Sequence, residues 1–135
     1  MKLTKKSIIL TGALSLFLGV ISLPTYAGEQ PYTVTNGNEL DASSFNGFKL
    51  YRNWCARCHG TYGQGMVGPN LADSLKVISK DQFFHTVAEG KTGTIGSMPA
   101  WKANTQVMEG RDHLYAYLKA RSDGAIGEVK PKKAK

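Results

Sequence analysis

Hydrophobic and polar positions divide this chain into helical stretches separated by glycine-rich ones. An uncharged apolar run extends from Ser7 to Leu23, and residues 28–43 are polar and broken by Pro31, Asn36-Gly37 and Asn38. The spacing then turns helical. Gly47, Tyr51 and Cys55 recur every four residues with Phe48 beside them, on a helix opening at Asp41, Ser43 or Ser44, each a good N-cap. Residues 60–71 contain several glycines and Pro69 and predict a loop. Ser79-Lys80-Asp81-Gln82 reads as a capping box for a second helix, with Phe83, Phe84, Val87 and Ala88 as its apolar face and Gly90 as its stop. Residues 91–100 form another glycine-rich loop ending in Met98-Pro99. A last helix is predicted over roughly 109–122, with Leu114, Tyr117 and Leu118 on one face and Gly124 just beyond. No strand signal of useful length and no internal repeat is present. The pattern predicts an all-α domain.

The N-terminus changes the accounting. Lys2, Lys5 and Lys6 precede the apolar run, and Thr25-Tyr26-Ala27 supplies the small residues of a cleavage site, so residues 1–27 are expected to be a cleaved secretory signal peptide. An uncleaved anchor is the alternative; Thr11, Gly12, Ser15 and Gly19 within the run weigh against it. The reading divides the rest into an N-terminal arm over 28–43, one domain over 44–127 and a tail over 128–135. Such a domain is near the lower size limit for a self-sufficient core. Formal net charge is +7, but removing the three leader lysines leaves 14 basic against 10 acidic side chains. Lys130, Lys132, Lys133 and Lys135 crowd the tail, which is expected to be disordered and to act, if at all, by steering an acidic partner. No nucleic-acid partner and no membrane anchor after cleavage are implied, and a monomer is expected.

The two cysteines, Cys55 and Cys58, narrow the chemistry. A disulfide across two residues closes too short a loop to stabilise much. A thioredoxin-like redox pair needs a βαβ context that this pattern lacks. A zinc site needs more ligands at workable spacing than His85 and His113 offer. Cys55-Ala56-Arg57-Cys58-His59 instead fits C-x-x-C-H, the attachment pattern of c-type haem. Two thiols on one helical turn reach the vinyl groups on one porphyrin edge, and the adjacent imidazole meets the iron.

With these residues the chain resembles the class I cytochromes c over nearly all of residues 44–122. The resemblance implies a small fold in which N- and C-terminal helices cross around one covalent haem c, and it implies an electron carrier, not an enzyme. Gly68-Pro69-Asn70-Leu71 looks like the family's G-P-x-L turn, so Pro69 would accept the other ring N–H of His59 through its carbonyl. Met98-Pro99-Ala100-Trp101 resembles the methionine loop, which makes Met98 the sixth iron ligand opposite His59. Met66 is poorly placed to cross the ring, Met108 is better read as core, and His85 and His113 lie within predicted helices. Gly47, Tyr51, Leu114 and Tyr117 match the family's helix crossing.

Tyr32-Thr33-Val34, Asn46-Gly47-Phe48, Asp73-Ser74-Leu75-Lys76 and the run Tyr117 to Ala125 resemble more closely the periplasmic cytochromes c-L and those of lanthanide-type methanol dehydrogenases. That likeness implies a periplasmic carrier accepting electrons from a quinoprotein (PQQ-dependent) alcohol dehydrogenase, such as methanol dehydrogenase, and passing them to a downstream cytochrome or oxidase. Two other classes stay open. One is a general shuttle between a quinol-oxidising complex and a terminal oxidase, and the other a haem enzyme or sensor with a labile sixth ligand.

Overall fold

The computed structural model describes residues 29–135; the expected signal peptide lies outside the described residues. Asp41 opens the first helix, as its carboxylate accepts from the Ser44 amide at 3.1 Å and the Ser44 hydroxyl at 2.7 Å. Helix α1 runs Ala42–Trp54 and passes through Cys55 into a single turn, α2, Ala56–His59. A short α3, Leu71–Ser74, closes the loop that follows, with Asn70 as its cap. The Ser79 hydroxyl accepts from the Gln82 amide at 3.1 Å and starts α4, Lys80–Glu89, which Gly90 ends.

The last helix, expected over roughly 109–122, is α6, Arg111–Ser122, and a short helix that the sequence did not announce, α5, Thr105–Glu109, precedes it. Gly110 separates them because it lies flat against Leu50 of α1, where a Cβ would collide with the leucine side chain. Asn104 caps α5 by accepting from the Val107 amide at 3.0 Å.

Helices α1 and α6 cross at the centre of the molecule. Gly47 makes the approach possible: a side chain there would overlap the His113 backbone carbonyl. Tyr51 and Tyr117 are fully buried at the crossing with ring centroids 5.5 Å apart, and Phe48 meets Tyr117 edge-on at 5.3 Å. Leu40, Leu114, Leu118, Val107 and Ile126 complete this core.

Short strands supply the two features that the helical pattern hid. In the N-terminal arm, β1, Val34–Thr35, pairs antiparallel with β2, Glu39–Leu40, around Asn36 and Gly37, both at positive φ (50° and 72°). The Asn-Gly pair is a known hairpin signal that the polar composition of this stretch masked. Farther on, β3, Lys91–Thr92, pairs antiparallel with β4, Ser97–Met98, so residues 91–98 form a hairpin.

The tail departs from the expected disorder. Lys132–Lys133 form β5, parallel to β2, with the Lys132 amide donating to Asn38 O and the Ala134 amide to Leu40 O, both at 2.8 Å. Pro131 is buried, and Arg121, 9% exposed, pairs with Glu128 at 3.7 Å while donating to Ile126 O at 2.7 Å. The lysines alone suggested a solvated run, but open carbonyls on β2 and a buried arginine are features no local charge pattern reveals.

Candidate haem-binding site

Cys55 is the residue at which α1 becomes α2. Its amide still bonds Tyr51 O of α1 at 2.8 Å, and its carbonyl accepts from the His59 amide at 3.0 Å. One continuous turn therefore carries Cys55, Cys58 and His59. Both thiols are free. Burial, and secondarily the neighbouring Cys58, push the Cys55 thiol up to about 12, so it is protonated at neutral pH. That is unlike the lowered pKa of a catalytic thiolate.

His59 is buried, and its orientation is set from three sides. Its Nδ1 lies 2.9 Å from Pro69 O; a carbonyl can only accept, so the proton is on Nδ1 and the lone pair on Nε2. The Gly65 amide donates to His59 O and the Gly68 amide to Cys58 O, both at 2.8 Å. Gly68 also lies against the ring, where a Cβ would come within 2.8 Å of His59 Cε1. The predicted residues Cys55, Cys58, His59 and Pro69 are thus together in one unit. Tyr51 reaches the same unit from the helix crossing by donating its hydroxyl to Gly60 O.

Met98 belongs to a separate element. It is half-buried against the core at the end of β4, and its carbonyl lies against Gly90, whose positive φ (74°) and missing side chain permit the contact. The Trp101 and Lys102 amides donate to Val87 O and Ala88 O, each at 3.1 Å, which ties the methionine loop to the end of α4. Met66 is 66% exposed, Val67 64% and Ile95 82%, all in the loops that carry Pro69 and Met98. Such apolar exposure in both loops fits cover for an apolar macrocycle. Free thiols on one turn and an Nε2 lone pair fit the same group.

Comparison with known proteins agrees. The family model described as cytochrome c oxidase, cbb3-type, subunit III, matches residues 45–118, more than half of the chain. Cytochrome c-555 of Methylococcus capsulatus (strain Bath) is 40% identical over 124 residues, covering 90% of this chain and 89% of its own.

The chain belongs to the class I c-type cytochromes.

A second relative, cytochrome c-553I of Paracoccus denitrificans, is 32% identical over 76% of this cytochrome, which spans 47% of that protein. The crystal structure of the c-type cytochrome XoxG from Methylobacterium extorquens AM1 superposes with a TM-score of 0.71 at 38% identity, covering 76% of this chain and 65% of that one. Like these relatives, the cytochrome carries electrons and is not an enzyme. Covalent haem c is the cofactor of this family, and the Cys55–Cys58 pair fits its C-x-x-C-H attachment motif; the group would supply an iron that takes up and returns one electron at a time.

The structure also places the rival ligands. His113 Nδ1 lies 2.7 Å from Ser43 Oγ at the α1–α6 crossing, and His85 is exposed on α4. Met108 is half-buried on α5 and not in the final helix. Sequence reading missed Arg121, which donates to Tyr62 O at 2.7 Å and so braces the loop after His59. It also missed the contact of Trp54 with Trp101. Neither had a signal: one looks like an ordinary basic residue in a last helical turn, and the other joins residues 47 positions apart.

Proposed function

We propose that this cytochrome is a periplasmic carrier with His59 and Met98 as axial ligands, reduced one electron at a time by a quinoprotein alcohol dehydrogenase of the methanol dehydrogenase kind. The ligand reading is supported by the uncommitted Nε2 of His59, and by a methionine loop tied in place while His85 is exposed on α4 and His113 is engaged by Ser43. A histidine–thioether pair changes little on redox cycling and favours ferrous iron, raising the potential. The donor reading rests on the likeness to XoxG at 38% identity, together with the stretches that resemble dehydrogenase-linked cytochromes.

The reduced quinone cofactor of the donor holds two electrons and the haem takes one, so each alcohol oxidised requires two cytochromes or two visits. A carrier must also leave quickly, which calls for a contact under about 1,200 Å². The exposed Arg57, between the two cysteines, is available to an acidic rim there. Export through the N-terminal leader places both proteins in one compartment. Among the described residues no helix is long and apolar enough to cross a membrane.

Stopped-flow mixing of the oxidised cytochrome with the methanol dehydrogenase of the same organism, alcohol present, tests the pairing. Reduction far faster than with an unrelated dehydrogenase is expected. Equal rates would remove this donor and leave the runner-up, a shuttle from a quinol-oxidising complex to a terminal oxidase.

A further inference from the structure

Two tryptophans join the segments that carry the haem ligands. Trp54 closes α1 and directly precedes Cys55; Trp101 follows Met98 by three residues. Their rings meet edge-to-face, with centroids 5.4 Å apart and an interplanar angle of 66°. Trp54 remains 36% exposed, so burial alone does not account for its position. The other ties of the methionine loop run to α4: the Trp101 and Lys102 amides on Val87 O and Ala88 O, and Lys102 Nζ on Glu89 at 2.8 Å. Helix α4 does not carry the attachment motif. Among the aromatic pairs of the described residues, Trp54–Trp101 is the one that joins the attachment helix to the methionine loop.

We infer that the Trp54–Trp101 pair is a latch that holds the Met98 loop against the attachment helix and thereby governs how easily the sixth ligand leaves the iron. The inference rests on Met98 being that ligand. Neither tryptophan touches the metal; both are positioning residues. Without the latch, the loop keeps its anchor on α4 but gains freedom at its Met98 end. An edge-to-face aromatic pair is worth about 1 kcal/mol beyond the area it buries, which corresponds to roughly a fivefold change in an equilibrium constant.

The test is titration of the ferric holoprotein with imidazole, followed by the loss of the methionine-to-iron charge-transfer absorbance. Trp54→Ala is expected to bind imidazole about fivefold more tightly than the parent, while Trp54→Phe, which keeps an aromatic edge, stays near it. Combining Trp54→Ala with Trp101→Ala should add little to either change alone, because a latch is broken once. Melting of each variant shows that it is folded. An imidazole affinity that Trp54→Ala leaves unchanged overturns the latch, as do single changes that simply add. Met98→Ala separates the two ideas: a variant that still shows the parent's low-spin spectrum overturns the ligand reading and the latch with it. A high-spin Met98→Ala beside an unaltered Trp54→Ala overturns the latch alone.

Discussion

The two sides of the haem site are built in different ways. On the histidine side, one turn of chain holds Cys55, Cys58 and His59, and the following loop folds back on it through the amides of Gly65 and Gly68 and the carbonyl of Pro69. Tyr51 and Arg121 brace that loop from the core. On the methionine side, Met98 ends a hairpin of two-residue strands whose residues 91–97 are all exposed, and its anchors are backbone bonds to α4 and one aromatic pair. In the proposed carrier the permanent ligand must be fixed in tautomer and angle, whereas a sixth ligand from Met98 would set the potential and shield the iron. A fixed side and a lighter side would divide these tasks.

The largest effect that would break the comparison lies on the fixed side. Replacing both Cys55 and Cys58 with serine is expected to abolish covalent haem, so that mass spectrometry finds the bare polypeptide. Replacing one should weaken retention only. A bare parent protein, or haem extracted from it by acid acetone, would refute the attachment.

Next in size is the lighter side. Met98→Ala should give a high-spin or water-ligated iron and lower the potential by on the order of 0.1 V, within the roughly 0.8 V range that axial ligands span. Spectroelectrochemistry measures both. Gly68→Ala sharpens the comparison from the opposite side. Its Cβ would press on the His59 ring at 2.8 Å, and overpacking of that kind costs about 1–3 kcal/mol. Denaturant unfolding of the holoprotein should show that loss, with Met98 still in place.

The smallest expected effect is from the tail. Truncation after Ile126 removes two backbone hydrogen bonds to β2, the Glu128 partner of Arg121 and the buried Pro131. About 1 kcal/mol is a fair magnitude for these, or a melting temperature lower by roughly 4–8 °C in a domain of this size. An unchanged melting curve would restore the picture of an idle tail. A reduction rate equally insensitive to salt with and without residues 127–135 would remove any steering role for the lysines.

Much of the fixed side was legible because its parts are neighbours in sequence: the C-x-x-C-H turn, and the Gly-Pro pair ten residues after His59. The helix caps at Asp41 and Ser79 were legible for the same local reason. Contacts between distant segments were not. The stretches that resemble dehydrogenase-linked cytochromes had no rationale in the sequence, and the structure supplies one for three of them, which dock on each other. Tyr32 donates to Asp123 at 2.9 Å, and Phe48 meets Tyr117 edge-on at 5.3 Å. Burial first, then its bond to Asp123, pushes Tyr32 up to about 12. Its folded value exceeds the unfolded one near 10, so its stabilisation is complete below pH 10 and fades as pH rises toward 12. Charge patterning misled at the tail because partners across space decide whether a lysine-rich strand docks.

The central claim is that His59 and Met98 close the iron for electron transfer. Exposing the dithionite-reduced holoprotein to carbon monoxide at neutral pH tests it most directly. A closed carrier keeps its low-spin ferrous spectrum, and Met98→Ala takes up the gas readily. Rapid carbon monoxide binding by the unaltered protein would contradict the account and point to a haem enzyme or sensor with an open sixth position.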